Sequence, residues 1–155
     1  MSEAKDPARS PSAELELERF LPYRLNRLAD VVSRQFQRIY KDRYGLTRPE
    51  WRLLAALGQY GTMTATAVGQ HSAMHKTKVS RAVAALEKRL WITRRTDAAD
   101  RRIEHLALTR AGEKVYGELV PLAREFETEM LAALALPGRE ALLAGLDALE
   151  DGLAR

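Results

Sequence analysis

The stretch HKTKVSRAVAALEKRLW (His75–Trp91) runs straight into ITRRTDAADRRIEHLALT (Ile92–Thr109), and its reading decides the fold. In the first half, Val79, Val83, Leu86 and Leu90 recur at i, i+4, i+7 and i+11. That spacing makes one narrow apolar stripe on a helix of about 3.6 residues per turn. Stepping round the same helix by about 100° per residue places Thr77, Arg81 and Lys88 opposite the stripe, with Lys78 on its flank. A helix with a dry back and a basic front fits the DNA major groove, where Arg and Lys reach guanine acceptors and Thr meets a thymine methyl. An ordinary surface helix also carries charge on its outer face, so the residues that follow have to decide between the two.

Ile92-Thr93-Arg94-Arg95 and the run from Arg102 to Leu108 read as two short strands, the second alternating Leu106 and Leu108 with smaller or polar residues. Between them, Thr96 to Arg101 is a polar tip with Asp97, Asp100 and the pair Arg101-Arg102. A basic hairpin tip beside a basic helix is the pattern of a wing that sends an arginine into the adjacent minor groove, where narrow A·T-rich segments concentrate negative potential. The competing account is a plain exposed hairpin. Charge favours the wing. From His75 to Arg110 there are ten Lys and Arg against four acids, a net of +6, whereas the rest of the chain is at −2. Basicity this local suits a patch that neutralises phosphates.

Working outward, Leu21, Leu25, Leu28, Val32, Phe36 and Ile39 step by threes and fours. They predict a long helix from about Phe20 to Tyr44-Gly45, with helical pattern from Glu14 and Pro22 in an early turn. Before it, residues 1–13 carry Pro7, Pro11 and mixed charge without apolar period, and are expected to be disordered. Thr47-Arg48-Pro49-Glu50 is a capping box, with Leu46 and Trp51 at the staple positions, opening a helix to about Tyr60. Thr64 caps a short helix to about Gln70, and His71 to Met74 make a turn into the His75–Trp91 helix. Short helix, tight turn, basic helix is the helix-turn-helix order. After the hairpin, Thr109 caps a long helix bearing Val115, Leu119, Leu122, Phe126, Met130 and Leu134. Pro121 is expected to kink it, and Pro137-Gly138 to break it before a last Leu-rich helix. Residues 111–155 hold four basic and nine acidic residues, so this end should face away from DNA.

Composition narrows the function classes. A chain of 155 residues with 46% hydrophobic residues is long enough for one domain with a real core. It has no cysteine, which excludes disulfides and thiolate zinc sites. It lacks an apolar run of membrane length and a signal-peptide core, so a soluble cytoplasmic protein is expected. P-loop, GxGxxG, GxSxG and HExxH motifs are all missing, and His71 and His75 straddle a turn, so no enzyme, cofactor or metal site is expected.

Three segments together, LTRPEWRLLAAL (Leu46–Leu57), MHKTKVSRAVAALEKR (Met74–Arg89) and TDAADRRIEHLALTRAG (Thr96–Gly112), resemble the MarR family of winged helix-turn-helix regulators over about residues 20–150. The fold class expected is mainly α with a small β-hairpin wing and long N- and C-terminal dimerisation helices. Its divisions are a tail over 1–13, an N-terminal helix over 14–45, the winged helix-turn-helix over 46–110 and C-terminal helices over 111–155. The resemblance implies a homodimer on a palindromic operator, acting as a repressor that a small effector releases. Expected DNA residues are Lys76, Thr77, Lys78, Ser80 and Arg81 at the major groove, and Arg101 and Arg102 at the minor groove and phosphates. Family effectors lodge between the first long helix, the second helix and the helix after the wing. On that basis Tyr23, Asn26, Arg27 and Arg34 are the candidates, and FLPYRLNRLAD (Phe20–Asp30) is similar to members that respond to aromatic acids or their coenzyme A thioesters.

Two positions depart from the family pattern. His75 stands where Asp is frequent, and His caps a helix less well. Leu90 stands where Gly is common, and a left-handed turn there costs Leu on the order of 1 kcal/mol. The rival readings are a sequence-independent architectural DNA binder and a helical protein whose basic patch meets an acidic partner.

Overall fold

The computed structural model describes residues 15–154. The expected tail over 1–13 lies outside the described residues. In chain order the elements are α1 (Leu21–Tyr44), α2 (Arg48–Tyr60), β1 (Met63–Thr64), α3 (Ala65–His71), α4 (Lys76–Lys88), β2 (Ile92–Thr96), β3 (Glu104–Leu108), α5 (Arg110–Ala132) and α6 (Leu136–Leu153). This is the mainly helical winged architecture expected, and its helix ends follow local chemistry. α1 starts at Leu21, next to the expected Phe20, with Pro22 in its first turn, and residues 17–19 ahead of it form a turn. It stops at Gly45, whose φ of 63° is the left-handed conformation that glycine adopts without strain. α2 has the full capping box: Glu50 N–H donates to Thr47 Oγ1, and Thr47 N–H donates to the Glu50 carboxylate.

Three expectations need correcting. The sheet has three strands in the order β1-β3-β2, all antiparallel, because Met63 and Thr64 pair with Leu106 and His105 before the α3 helix begins. Two residues carry no readable period, so only the long-range pairing reveals β1. Next, the stripe expected on α5 stops short of Leu134, which lies beyond the helix, whereas Pro121 lies inside the helix as expected. The chain leaves it at Ala133, and Pro137 and Gly138 lie inside the first turn of α6, where proline needs no N–H donor.

Leu90 also leaves the apolar stripe. It is 74% exposed, lies beyond α4 and has φ 60°. Trp91 N–H donates to Leu86 O and Leu90 N–H to Glu87 O, which makes a complete Schellman end with leucine in glycine's place. Leu90→Gly is therefore expected to stabilise the protein by about 1 kcal/mol, the left-handed strain exceeding the added chain entropy. Thermal unfolding should read this as a rise of about 2–4 °C in Tm; a fall would mean that the side chain contributes packing.

The core gathers around α2, where Leu53, Leu54 and Leu57 meet Tyr40, Val68, Val79, Leu86, Leu106 and Leu119. Phe36 packs edge-on to Tyr40 and Trp51 at 5.3 Å and lies 5.2 Å from Phe126, which ties α1, α2 and α5 together. The apolar seam on α1 divides here. Val32, Phe36 and Ile39 are half-buried, but Leu21, Leu25 and Leu28 face outward.

Candidate nucleic-acid interface

α4 is fixed by its back. Val79, Ala82, Val83 and Leu86 are buried, with α2 and α3 packed on this helix. That orientation leaves Lys76, Thr77, Lys78, Ser80 and Arg81 all exposed. His75 takes the extended cap conformation (φ −66°, ψ 149°), makes no side-chain bond to the first turn, and no acidic residue follows in that turn. Neither the cap residue nor the first turn of α4 thus neutralises its positive end.

The wing is organised by Asp97. Its Oδ1 accepts the backbone N–H groups of Ala99 (2.8 Å) and Asp100 (3.0 Å), and Oδ2 lies 3.0 Å from His105 Nε2. Asp97 N–H closes the tip by donating to Ile103 O at 2.9 Å. These bonds, the Asp100 N–H first and then His105, hold the carboxyl at about 2, below its ordinary 3.8. The anchoring is complete above the ordinary carboxylate range and is lost only as pH falls through about 2. On the same tip Arg101 and Arg102 are exposed. Arg102 Nε donates to Asp100 Oδ1 at 3.2 Å, while Arg101 has no carboxylate partner among the described residues. Asp97→Ala removes all three bonds, which lie within a solvated tip and hold its shape more than they hold the fold. The expected outcome is DNA binding weakened by roughly 3- to 10-fold with Tm almost unchanged. Undiminished affinity would show that tip order is irrelevant to binding.

Two arginines counted in the basic patch are structural. Arg94 forks onto Glu87 of α4 and reaches Glu104 of β3 at 3.1 Å, locking the wing's base to α4. Arg89 donates to Tyr44 O and, at 3.1 Å, to Gly45 O, so it caps the end of α1, and it lies 4.9 Å from the Trp91 ring. Sequence reasoning missed both, together with the Asp97–His105 pair. Glu87 seven residues before Arg94 and Glu104 ten after it are signals visible only once the hairpin register is known.

Away from α4's outer face, a cleft of about 620 Å³ opens between α2, the α3–α4 turn and α5, with Arg52, Tyr60, His71, Ser72, Tyr116 and Arg124 among its walls. The four ligand candidates do not line it. Tyr23 and Arg27 lie together, the guanidinium carbon 5.8 Å from the ring centroid. Arg27 also borders an apolar groove with Leu21, Leu25, Leu28 and Leu142. Asn26 is exposed, and Arg34 is paired with Asp30 at 3.1 Å. Among the described residues, no three His, Cys, Asp or Glu are grouped to hold a metal, and no helix is long and apolar enough to cross a membrane.

Comparison with known proteins agrees with this geometry. The MarR family model matches residues 44–103, from the end of α1 to the wing tip. A crystal structure of a MarR family transcriptional regulator from Silicibacter pomeroyi DSS-3 superimposes with a TM-score of 0.79 at 31% identity, over 90% of this chain and 99% of that one. An uncharacterized HTH-type transcriptional regulator, YwoH of Bacillus subtilis, is 28% identical over 79% of this chain and 88% of its own length. The fold is shared at a TM-score of 0.77 and 24% identity with Bordetella bronchiseptica BpsR, over 90% of this chain and 99% of that one; its structure is described as a mechanism for regulation of DNA binding by 6-hydroxynicotinic acid. With an outward basic helix, a wing locked to its base and a near-complete match to a relative of the same build, the chain belongs to the MarR family of winged helix-turn-helix transcriptional regulators, which are DNA-binding proteins and not enzymes.

Proposed function

We propose that the protein is a homodimeric repressor that binds a palindromic operator in the cytoplasm and is released by a small aromatic acid or its coenzyme A thioester. The exposed face of α4, beside a wing tip whose Arg101 has no carboxylate partner among the described residues, carries the DNA part of this reading. Lys76, Thr77, Lys78, Ser80 and Arg81 enter the major groove, and Arg101 and Arg102 serve the minor groove and phosphates. The dimer rests on α1 and α6. Leu21, Leu25 and Leu28 on the first, and Leu142, Leu146 and Leu149 on the second, are 38–57% exposed in the single chain, which is more apolar surface than a monomer comfortably leaves to water. Residues 14–45 and 111–155 are accordingly the dimerisation segments. A two-fold dimer would present two α4 helices about one DNA turn apart, ~34 Å, and read an inverted repeat. BpsR, regulated by 6-hydroxynicotinic acid, supports the aromatic effector. Tyr23, Asn26, Arg27 and Arg34 stay proposed as contacts outside the larger cleft.

Selection of bound duplexes from a random pool near physiological salt tests the reading. An enriched inverted repeat is expected. Binding without enrichment would indicate an architectural DNA binder, and no binding would indicate an acidic protein partner or a protein already occupied by its effector.

A further inference from the structure

α1 is a rod with a different task at each end. Its 24 residues span about 36 Å. Leu21, Leu25 and Leu28 at the first end face outward, and Tyr44 at the other meets the end of α4. Between the ends, Tyr40 stacks on Trp51 of α2 at 5.6 Å, and Phe36 lies 5.2 Å from Phe126 of α5. Apolar packing is non-directional, so on its own it fixes contact here better than tilt. Direction comes from the far end. Arg89, the residue that caps α4, donates through Nη1 to Tyr44 O and through Nη2 to Gly45 O at 3.1 Å. Its guanidinium carbon lies 4.9 Å from the Trp91 ring, which meets the Tyr44 ring edge-on at 5.9 Å. Tyr44 Oη donates to the Glu118 carboxylate of α5. A planar fork on two successive carbonyls, backed by an indole, favours one orientation of α1 against α4. Among the described residues, no other hydrogen bond or ion pair ties α1 to α4 or its cap. Arg89 is itself exposed and has no carboxylate partner among those residues.

Resting on the two-fold dimer proposed above, we propose that Arg89 is the positioning residue that fixes the spacing between the two half-sites. The path from the two-fold axis to each α4 runs along α1, entering at its outward leucines and leaving at the Arg89 fork. From Phe36 to Tyr44 is about 12 Å along the helix, and from Phe36 back to Leu25 about 16 Å. With the aromatic contact as pivot, about 1 Å of play at the fork becomes about 1.4 Å at the leucines. The two-fold doubles this to roughly 3 Å, and one base pair occupies ~3.4 Å of duplex. Losing the fork is therefore enough to bring a neighbouring spacing within reach. In this role Arg89 reads no base and grips no phosphate; it sets where the two α4 helices stand.

The experiment takes full-length wild type, Arg89→Met and Arg89→Lys each through selection from a random duplex pool near physiological salt. Fluorescence anisotropy then measures affinity for the selected half-sites at the selected spacing and at spacings one base pair longer and shorter. Wild type is expected to prefer its own spacing over either neighbour by about tenfold or more. Arg89→Met is expected to select the same half-site sequence, yet to discriminate between adjacent spacings by less than about threefold. A change that only destabilised the fold would weaken every duplex alike and leave that ratio as it was. An unchanged ratio in Arg89→Met therefore overturns the role of Arg89 while the dimer stands, and so does a wild type that accepts adjacent spacings equally. Arg89→Lys keeps the charge without the planar fork and should relax spacing too, which covers the case in which Arg89→Met does not fold. Full wild-type discrimination in Arg89→Lys overturns the fork as the cause. If wild type enriches no inverted repeat at all, the dimer reading falls and takes this proposal with it.

Discussion

Gly112→Ala is expected to destabilise the protein by about 3 kcal/mol, although alanine is the better helix former. Gly112 is the third residue of α5, after the Thr109 cap whose hydroxyl accepts its N–H at 3.1 Å. A Cβ there would lie 2.0 Å from the backbone oxygen of Trp91. That oxygen cannot move aside cheaply. It accepts Thr109 N–H at 2.9 Å; Thr109 Oγ1 donates to Leu90 O at 2.7 Å; and Trp91 N–H closes the end of α4 on Leu86 O. The clash is with backbone held on three sides, so α5 must shift away from the root of the wing. Overpacking costs about 1–3 kcal/mol and sometimes more; a 2.0 Å approach to fixed backbone puts this site at about 4 kcal/mol, and the gain of about 1 kcal/mol in helix propensity leaves the net near 3. At 2–4 °C per kcal/mol, Tm should fall by roughly 6–12 °C, measured at one protomer concentration because a dimer's Tm depends on it. An unchanged Tm would mean that the approach of α5 to Trp91 is looser than described.

The same neighbourhood shows what sequence reading can reach. Caps and stripes are local, so Thr47-Glu50, Thr64, Thr109 and the burial of Val79, Val83 and Leu86 were legible from spacing alone. Leu90 obeyed the stripe's arithmetic, yet a helix end in left-handed conformation outranks periodicity, and only the family's glycine pointed there. β1 escaped because two residues have no period and their partner lies more than forty positions away. The candidate site divides likewise. Exposure of Lys76 to Arg81 follows from the buried face of their own helix. The withdrawal of Arg89 and Arg94 from the basic patch depends on Tyr44, Gly45 and Glu104, which tertiary structure alone brings near. Net charge overcounts a site whenever arginine also serves as a cap or a brace.

Among the cations that remain, Arg81 and Arg101 should fail in different ways. Arg81 stands opposite the buried stripe of α4, where a guanidinium can fork onto the two acceptors of a guanine edge. Arg81→Ala is expected to lose roughly 1–3 kcal/mol per half-site on the selected duplex, about 5- to 150-fold, with little change on a scrambled duplex. Arg101 sits on the wing tip with no carboxylate partner among the described residues, and the partners proposed for it are phosphates and the minor-groove floor. Arg101→Ala should weaken both duplexes alike and reduce the slope of log Kd against log salt by about 0.9 for each phosphate that Arg101 neutralises. Anisotropy titrations of both variants on both duplexes across a salt series separate the two roles. If Arg81→Ala weakens selected and scrambled DNA equally while flattening the salt slope, Arg81 holds the backbone and sequence is read elsewhere on α4. If Arg101→Ala leaves the slope untouched, the wing stands clear of the phosphates and the order imposed by Asp97 serves some other purpose. The opposite pair of results would place base readout on the helix and electrostatic grip on the wing, the division of labour that the buried stripe and the Asp97 turn are built to maintain.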